Sequence, residues 1–124
     1  DELLRLASPI RQFARTTTGD RWLAGRALPE GAQVVVFFGL ANRDPGVFEE
    51  PHALRLDRRP NPHLAFGAGP HRCLGETWAR SVLRAVLETL DALRIRPVVA
   101  GAPTPRISDF LCGHAALPLR WRDA

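Results

Sequence analysis

Lysine and methionine are absent from this 124-residue chain, and cysteine occurs only at Cys73 and Cys112. Two cysteines cannot build a disulfide framework, and they lack the C-x-x-C spacing of zinc or redox sites. A reduced, cytoplasmic setting is the expectation. No apolar run exceeds Val34 to Ala41, whereas a bilayer-spanning helix needs about 20 such residues, so no membrane span is expected. The start Asp1-Glu2-Leu3-Leu4 has none of the marks of a secretory leader. With no methionine even at position 1, the chain is expected to be a piece of something longer.

What is present is globular in composition: 45% apolar and 24% charged, which argues against disorder throughout. All 17 basic residues are arginine, and the net charge is +4. The arginines are scattered from Arg5 to Arg122, no cluster is longer than Arg58-Arg59, and 13 carboxylates interleave with them. A nucleic-acid groove needs clustered cations with stacking aromatics between them, so no nucleic-acid partner is expected.

Asp1 to Leu6 reads as the last turns of an amphipathic helix, stopped before Pro9. Arg15 to Thr18 is rich in β-branched residues, and Asp20 begins a turn. Trp22–Leu28 and Gln33–Phe38 flank Pro29-Glu30-Gly31 and predict a hairpin across it. One helical turn is expected within Asn42–Phe48, and a long loop from Glu49 to Pro70, where four prolines and two glycines prevent any period. Leu74 to Leu93 predicts the longest helix, with Trp78, Val82, Val86, Leu87, Leu90 and Leu93 on one face. Pro97 should end it after a strand-like Ile95. Arg106–Leu111 and Ala116–Trp121 read as a C-terminal hairpin. Trp22, Trp78 and Trp121 read as packing residues. The fold class is mixed α and β, loop-heavy and short of a core.

Phe66-Gly67-Ala68-Gly69-Pro70-His71-Arg72-Cys73-Leu74-Gly75 is the informative stretch. It puts Cys73 where a glycine-rich loop meets a helix N-terminus, whose unpaired N–H groups and dipole favour negative charge on sulfur. Gly67, Gly69 and Gly75 permit positive φ and a close backbone approach to a flat partner. His71 and Arg72 add positive field. The sulfur is displayed for a nucleophilic, redox or metal role. A nucleophile would need a histidine partner, for which His52, His63 and His114 are available.

The same stretch matches F-G-x-G-x-H-x-C-x-G and so resembles the haem-thiolate loop of the cytochrome P-450 superfamily of monooxygenases, of soluble bacterial type. The resemblance implies that Cys73 is the axial thiolate to the iron of haem b. It implies that Phe66 packs beside loop and haem, with Gly67, Gly69 and Gly75 along the cofactor, and that His71 and Arg15 reach its propionates. Glu2-Leu3-Leu4-Arg5 resembles the family's E-x-x-R, whose third, basic partner would be Arg58, with Arg59 the alternative. Ile10 (within the segment to Phe13), Phe110 and Leu111 would face substrate. Arg72, Arg80 and Arg84 would form a basic face for a ferredoxin-type electron donor.

By the same resemblance, residues 1–124 are the C-terminal, proximal part of one domain of the mainly helical P-450 fold. They comprise the end of the ion-pair helix, small hairpins, a long meander, the cysteine loop, the helix after it and a terminal hairpin. The family's distal helix with its acid-threonine pair has no match here, since Thr16, Thr17 and Thr18 lack the preceding Gly-x-Asp/Glu. The implied activity is insertion of one atom of O2 into a small organic substrate, with the isolated chain inactive and unstable. The other reading is a non-catalytic haem-binding module. No chemistry is expected of Cys112.

Overall fold

The computed structural model of the chain describes residues 1–123. It divides into two compact units, one of Asp1–Ala65 with Ser108–Cys112, the other of Phe66–Ile107 with Gly113–Ala124. Among the described residues no helix is long and apolar enough to cross a membrane.

The first unit opens with helix α1, Glu2–Ala7. Pro9 cannot donate to a further turn, so the helix closes at Ser8, which takes φ +38° and donates its N–H to the Leu4 carbonyl at 2.9 Å. Strand β1, Gln12–Thr16, pairs antiparallel with β4, Gln33–Phe37, in the register Gln12↔Phe37 to Thr16↔Gln33. Between them β2 (Arg21–Leu23) and β3 (Arg26–Leu28) form their own hairpin. This corrects the expected pairing across Pro29-Glu30-Gly31. The chain reverses earlier, at Ala24 (φ +47°) and Gly25 (φ +78°), a two-residue turn whose twist matches paired strands. Alanine is a poor signal for a left-handed residue, so the turn is hidden in the sequence.

The short helix α2 covers Phe38–Ala41 and is not among the expected elements. Within Asn42–Phe48 the chain makes the single helical turn expected there: Asp44 accepts the Phe48 N–H, four residues on, at its carbonyl (2.8 Å) and the Gly46 N–H at its side chain (2.8 Å). The side-chain bond competes with helix propagation. From there to Ala65 the chain has no ladder, as the prolines require.

What holds that stretch is a polar core. Glu2, Arg5, Ser8, Asn42 and Arg58 are buried, whereas Phe48 is the single buried apolar side chain among the described residues. Glu2 accepts from Arg5 Nε and Nη2 (2.7 Å each), from Arg58 Nε (3.1 Å), from the Arg55 N–H (3.1 Å) and from Asn61 Nδ2 (3.0 Å). Arg5 Nη1 donates to the carbonyls of Asn42 and Pro51 at 2.7 Å each, and Arg58 Nη1 to that of Glu49 at 2.7 Å. Both guanidinium groups lie over the Phe48 ring, at 5.0 and 5.9 Å. Asn42 donates to Ser8 Oγ (2.9 Å) and accepts the Leu64 N–H (2.6 Å), closing the meander onto α1.

In the second unit helix α3 spans Glu76–Ala92, as the spacing predicts. Strand β5, Ile95–Val99, pairs with β8, Leu119–Asp123, and runs through Pro97. A two-stranded sheet leaves alternate N–H groups outside the ladder, where proline loses nothing. Strand β6, Thr104–Pro105, pairs with β7, His114–Ala116. The expected hairpin of Arg106–Leu111 with Ala116–Trp121 is therefore corrected: Pro118 separates β7 from β8, and residues 108–112 belong to the first unit. There Arg11 donates its N–H to the Phe110 carbonyl and Cys112 donates to that of Pro9, both at 2.8 Å. The tryptophans are corrected too. Trp22, Trp78 and Trp121 are 72%, 75% and 59% exposed, because each stands on a two-stranded sheet or a helix face that the chain does not cover.

The polar core sets two expectations. Glu2→Gln leaves two buried guanidinium groups without their counter-charge and should destabilise the first unit by about 3–5 kcal/mol, read from amide exchange of Asn42 and Ser8. Glu49→Gln, at an exposed pair with Arg55, should leave exchange unchanged. The Arg5 hydrogen bonds, outweighing desolvation, hold the Glu2 carboxyl well below its ordinary value of 4.5. A depressed carboxyl stabilises the fold above its unfolded pKa. The cluster's contribution should thus be full above pH 4.5 and fall away as acid is added below it.

Candidate functional site

Residues 66–75 form a closed loop ahead of α3. Gly67 (φ +70°) and Gly69 (φ +64°) occupy the left-handed region, which a side chain would strain. At Gly67 an added Cβ would also come within 3.5 Å of the His71 carbonyl oxygen, whereas at Gly69 it would meet nothing within 4 Å. Gly69–His71 form one 3-10 turn. The Cys73 N–H then donates to the Phe66 carbonyl at 2.8 Å, closing the loop, and the Cys73 carbonyl accepts the Glu76 N–H at 3.3 Å, joining it to the helix.

Gly75 corrects an expectation. It caps α3 with φ −84°, a conformation open to any residue, and its absent Cβ would sit at ordinary contact distance, 3.9 Å, from Cys73 Sγ.

Cys73 is free and exposed. Its sulfur is not packed among aliphatic side chains, and the loop at Gly69 offers backbone with open space beside it. An exposed sulfur at a helix head and a Cβ-free approach fit a flat group bound through that sulfur. His71 is exposed on the 3-10 turn.

Behind the loop, Arg72, Glu76 and Arg80 interlock. Glu76 accepts Arg72 Nε at 2.6 Å and Nη2 at 2.9 Å, and Arg80 Nε at 3.0 Å. The Arg80 guanidinium lies 5.0 Å from the Phe66 ring centroid. Hydrogen bonding, first from Arg72 and then from Arg80, draws the Glu76 carboxyl down to about 2. Arg84 is exposed one turn further on, in the same shallow groove of α3. The expected face of three arginines therefore contains a carboxylate. The 72-76-80 spacing, four and four, is the signal that reveals it.

In the first unit the structure brings Glu2, Arg5 and Arg58 together, and Arg59 does not take part in the bonds to Glu2. Ile10 bridges Leu111. Phe110 meets Phe13 edge to face at 5.1 Å, and Phe13 meets Phe38 at 5.8 Å. Arg15 is exposed on β1, donates to the Ala14 carbonyl at 2.8 Å and stands 5.5 Å over the Phe13 ring. Phe13 is thus the hub between Arg15 and Phe110, which segment spacing does not reveal. Cys112 is free and exposed in this unit.

Comparison with known proteins matches this geometry to a family. Residues 1–99 match the family described as Cytochrome P450. The chain is 40% identical over 124 residues to the Steroid C26-monooxygenase of Mycolicibacterium smegmatis, covering 96% of this chain and 30% of that protein. It is 40% identical over 125 residues to the 20-oxo-5-O-mycaminosyltylactone 23-monooxygenase of Streptomyces fradiae, with 98% of this chain and 30% of that protein covered. The solved structure of Cytochrome P450-153 from Novosphingobium aromaticivorans superposes with a TM-score of 0.93 at 36% identity, over 98% of this chain and 31% of that one. The chain spans about 30% of the length of these curated relatives. A match over most of its length, in sequence and in structure, establishes that the chain belongs to the cytochrome P450 family.

Proposed function

We propose that the chain is the C-terminal, proximal-side part of a haem-thiolate monooxygenase, with Cys73 as the axial ligand to the iron of haem b. The observation that carries this reading is the free, exposed Cys73 at the head of α3, in a loop closed by its own N–H and shaped by two left-handed glycines. When bound, a thiolate-ligated haem supplies reductive activation of O2, placing one oxygen atom in an organic substrate and the other in water.

The chain's own residues divide the remaining work. His71 and Arg15 would donate to the propionates, where a cation or N–H stabilises carboxylate charge. Phe66 would pack against the ring beside the ligand, with Gly67 and Gly69 leaving room for it. The Glu2–Arg5–Arg58 cluster would hold the meander that leads into the cysteine loop. Ile10, Phe110 and Leu111 would line the substrate side, joined by the backbone bridge between Ile10 and Leu111. Arg72, Arg80 and Arg84 would face an acidic, ferredoxin-type donor, with Glu76 offsetting one of those charges.

In the full-length protein the reduced, carbon monoxide-bound spectrum should carry the red-shifted band of a thiolate-ligated haem. Cys73→Ser should abolish that band and Cys112→Ser should leave it intact; persistence of the band in Cys73→Ser overturns the assignment. Reduction by an acidic donor should slow steeply as salt rises, and Arg84→Gln should flatten that dependence. A rate independent of salt contradicts the docking face. The 124 residues alone, with Trp78, Val82, Val86 and Leu87 uncovered on α3, should self-associate. A monodisperse species with a cooperative melt contradicts that expectation.

A further inference from the structure

Residues 108–112 carry two of the side chains assigned above to the substrate side, Phe110 and Leu111. They form no helix and meet the segment before β1 only in an isolated bridge, Ile10 to Leu111. Their backbone is nonetheless bonded at every polar group from the Phe110 N–H to the Cys112 N–H. The Phe110 carbonyl accepts the Arg11 N–H at 2.8 Å, and the Cys112 N–H donates to the Pro9 carbonyl at 2.8 Å. The Leu111 carbonyl accepts Arg11 Nε at 3.2 Å. The N–H groups of Phe110 and Leu111 both donate to one atom, Ser108 Oγ, at 3.2 and 2.9 Å.

A hydroxyl oxygen has two acceptor positions, and here two consecutive N–H groups use them, so a side chain closes the turn in place of the backbone. The consequence falls on Phe110. The direction in which a side chain leaves Cα is set by the two peptide units that flank it. The unit before Phe110 is held at its N–H by Ser108. The unit after it is held at both ends, by the Arg11 N–H on its carbonyl and by Ser108 on its N–H. The ring so aimed meets Phe13 edge to face, 5.1 Å between centroids and 70° between planes, and Phe13 meets Phe38 at 78°. Edge-to-face pairs depend on angle as well as distance. Without the hydroxyl, the peptide after Phe110 keeps its carbonyl bond and loses the hold on its N–H. It is then free to pivot about the bond that remains, and the ring turns with it.

We propose that Ser108 is a positioning residue for the substrate wall: its hydroxyl oxygen, by accepting two successive N–H groups, sets the direction in which Phe110 and Leu111 project. The inference rests on the reading of Ile10, Phe110 and Leu111 as the substrate side and goes beyond it, since Ser108 is not itself one of those wall residues.

The test uses the full-length, haem-loaded protein and two probes that bind the iron through a nitrogen: imidazole, and 4-phenylimidazole, which adds one apolar ring. Their dissociation constants are read from the Soret shift, and amide exchange is followed at Phe110 and Leu111. Ser108→Ala should raise exchange at both amides several-fold. It should weaken 4-phenylimidazole several-fold and leave imidazole near wild type. Ser108→Thr keeps the oxygen and should bring exchange and affinity back toward wild type. In a Phe110→Leu background Ser108→Ala should weaken 4-phenylimidazole less, because the ring it aims is gone. Unchanged exchange in Ser108→Ala overturns the proposal. So does an equal loss of affinity for both probes, or an affinity for 4-phenylimidazole that Phe110→Leu lowers and Ser108→Ala does not. Failure of the substrate-side reading shows separately: Phe110→Leu and Leu111→Ala would then bind 4-phenylimidazole as wild type does, with the exchange result intact.

Discussion

One buried carboxylate organises the first unit. The stretch from Asn42 to Ala65 has no strand or helix to satisfy its backbone, and buried carbonyls without donors are costly. Arg5 and Arg58 supply those donors, to the carbonyls of Asn42, Pro51, Ala53, Glu49 and Glu50. Two guanidinium groups can be buried at such a site only if an anion lies between them, and Glu2 is that anion. Because its five donor groups, from the four residues Arg5, Arg55, Arg58 and Asn61, come from α1 and from the meander alike, the carboxylate converts an irregular chain into a defined shape. Apolar burial contributes little by comparison, since Phe48 serves as the floor on which both guanidinium groups rest.

The second unit repeats the device on a smaller scale. Glu76 sits between Arg72 and Arg80 as Glu2 sits between Arg5 and Arg58; both Arg5 and Arg58 lie over Phe48, whereas of the second pair Arg80 lies over Phe66. The settings differ, and so does the physics. Around Glu2 both cations are buried, and salt cannot screen what water does not reach. Arg72 is open to solvent, so its bond to Glu76 is weak in the way surface pairs are weak and responds to ionic strength. The first cluster is suited to permanence. The second is suited to an exposed face.

Much of this was legible from spacing. Helix α1 with its proline stop, helix α3 and the glycine-flanked cysteine all follow from periodicity and from where proline and glycine fall. Pairing was less so. The hairpin at Ala24-Gly25 turns on an alanine in a conformation that composition does not advertise, and the pairing of β1 with β4 depends on residues about twenty apart. Alternation identifies a strand but does not name its neighbour. The apolar face of α3 shows the same limit: a stripe at three and four says that something apolar lies against it, and is silent about which segment that is. Trp78 on that face, like Trp22 and Trp121 on their strands, reads as a packing residue in the sequence and stands exposed in the chain. Charge at a spacing of four is the signal at Glu76, which Arg72 and Arg80 flank four residues to either side.

A loop that presents a ligand atom has conflicting needs. Gly67 and Gly69 are required for its backbone path, yet each glycine loses more conformational freedom on folding than any other residue. The loop has neither a ladder nor, beyond a single 3-10 turn, helical bonds to offset that loss. Two fixed points remain, the Cys73 N–H on the Phe66 carbonyl and the junction of Cys73 with the first turn of α3. Both bear on the same residue. The position of Cys73 is therefore set jointly by the bond that closes the loop and by the first turn of α3.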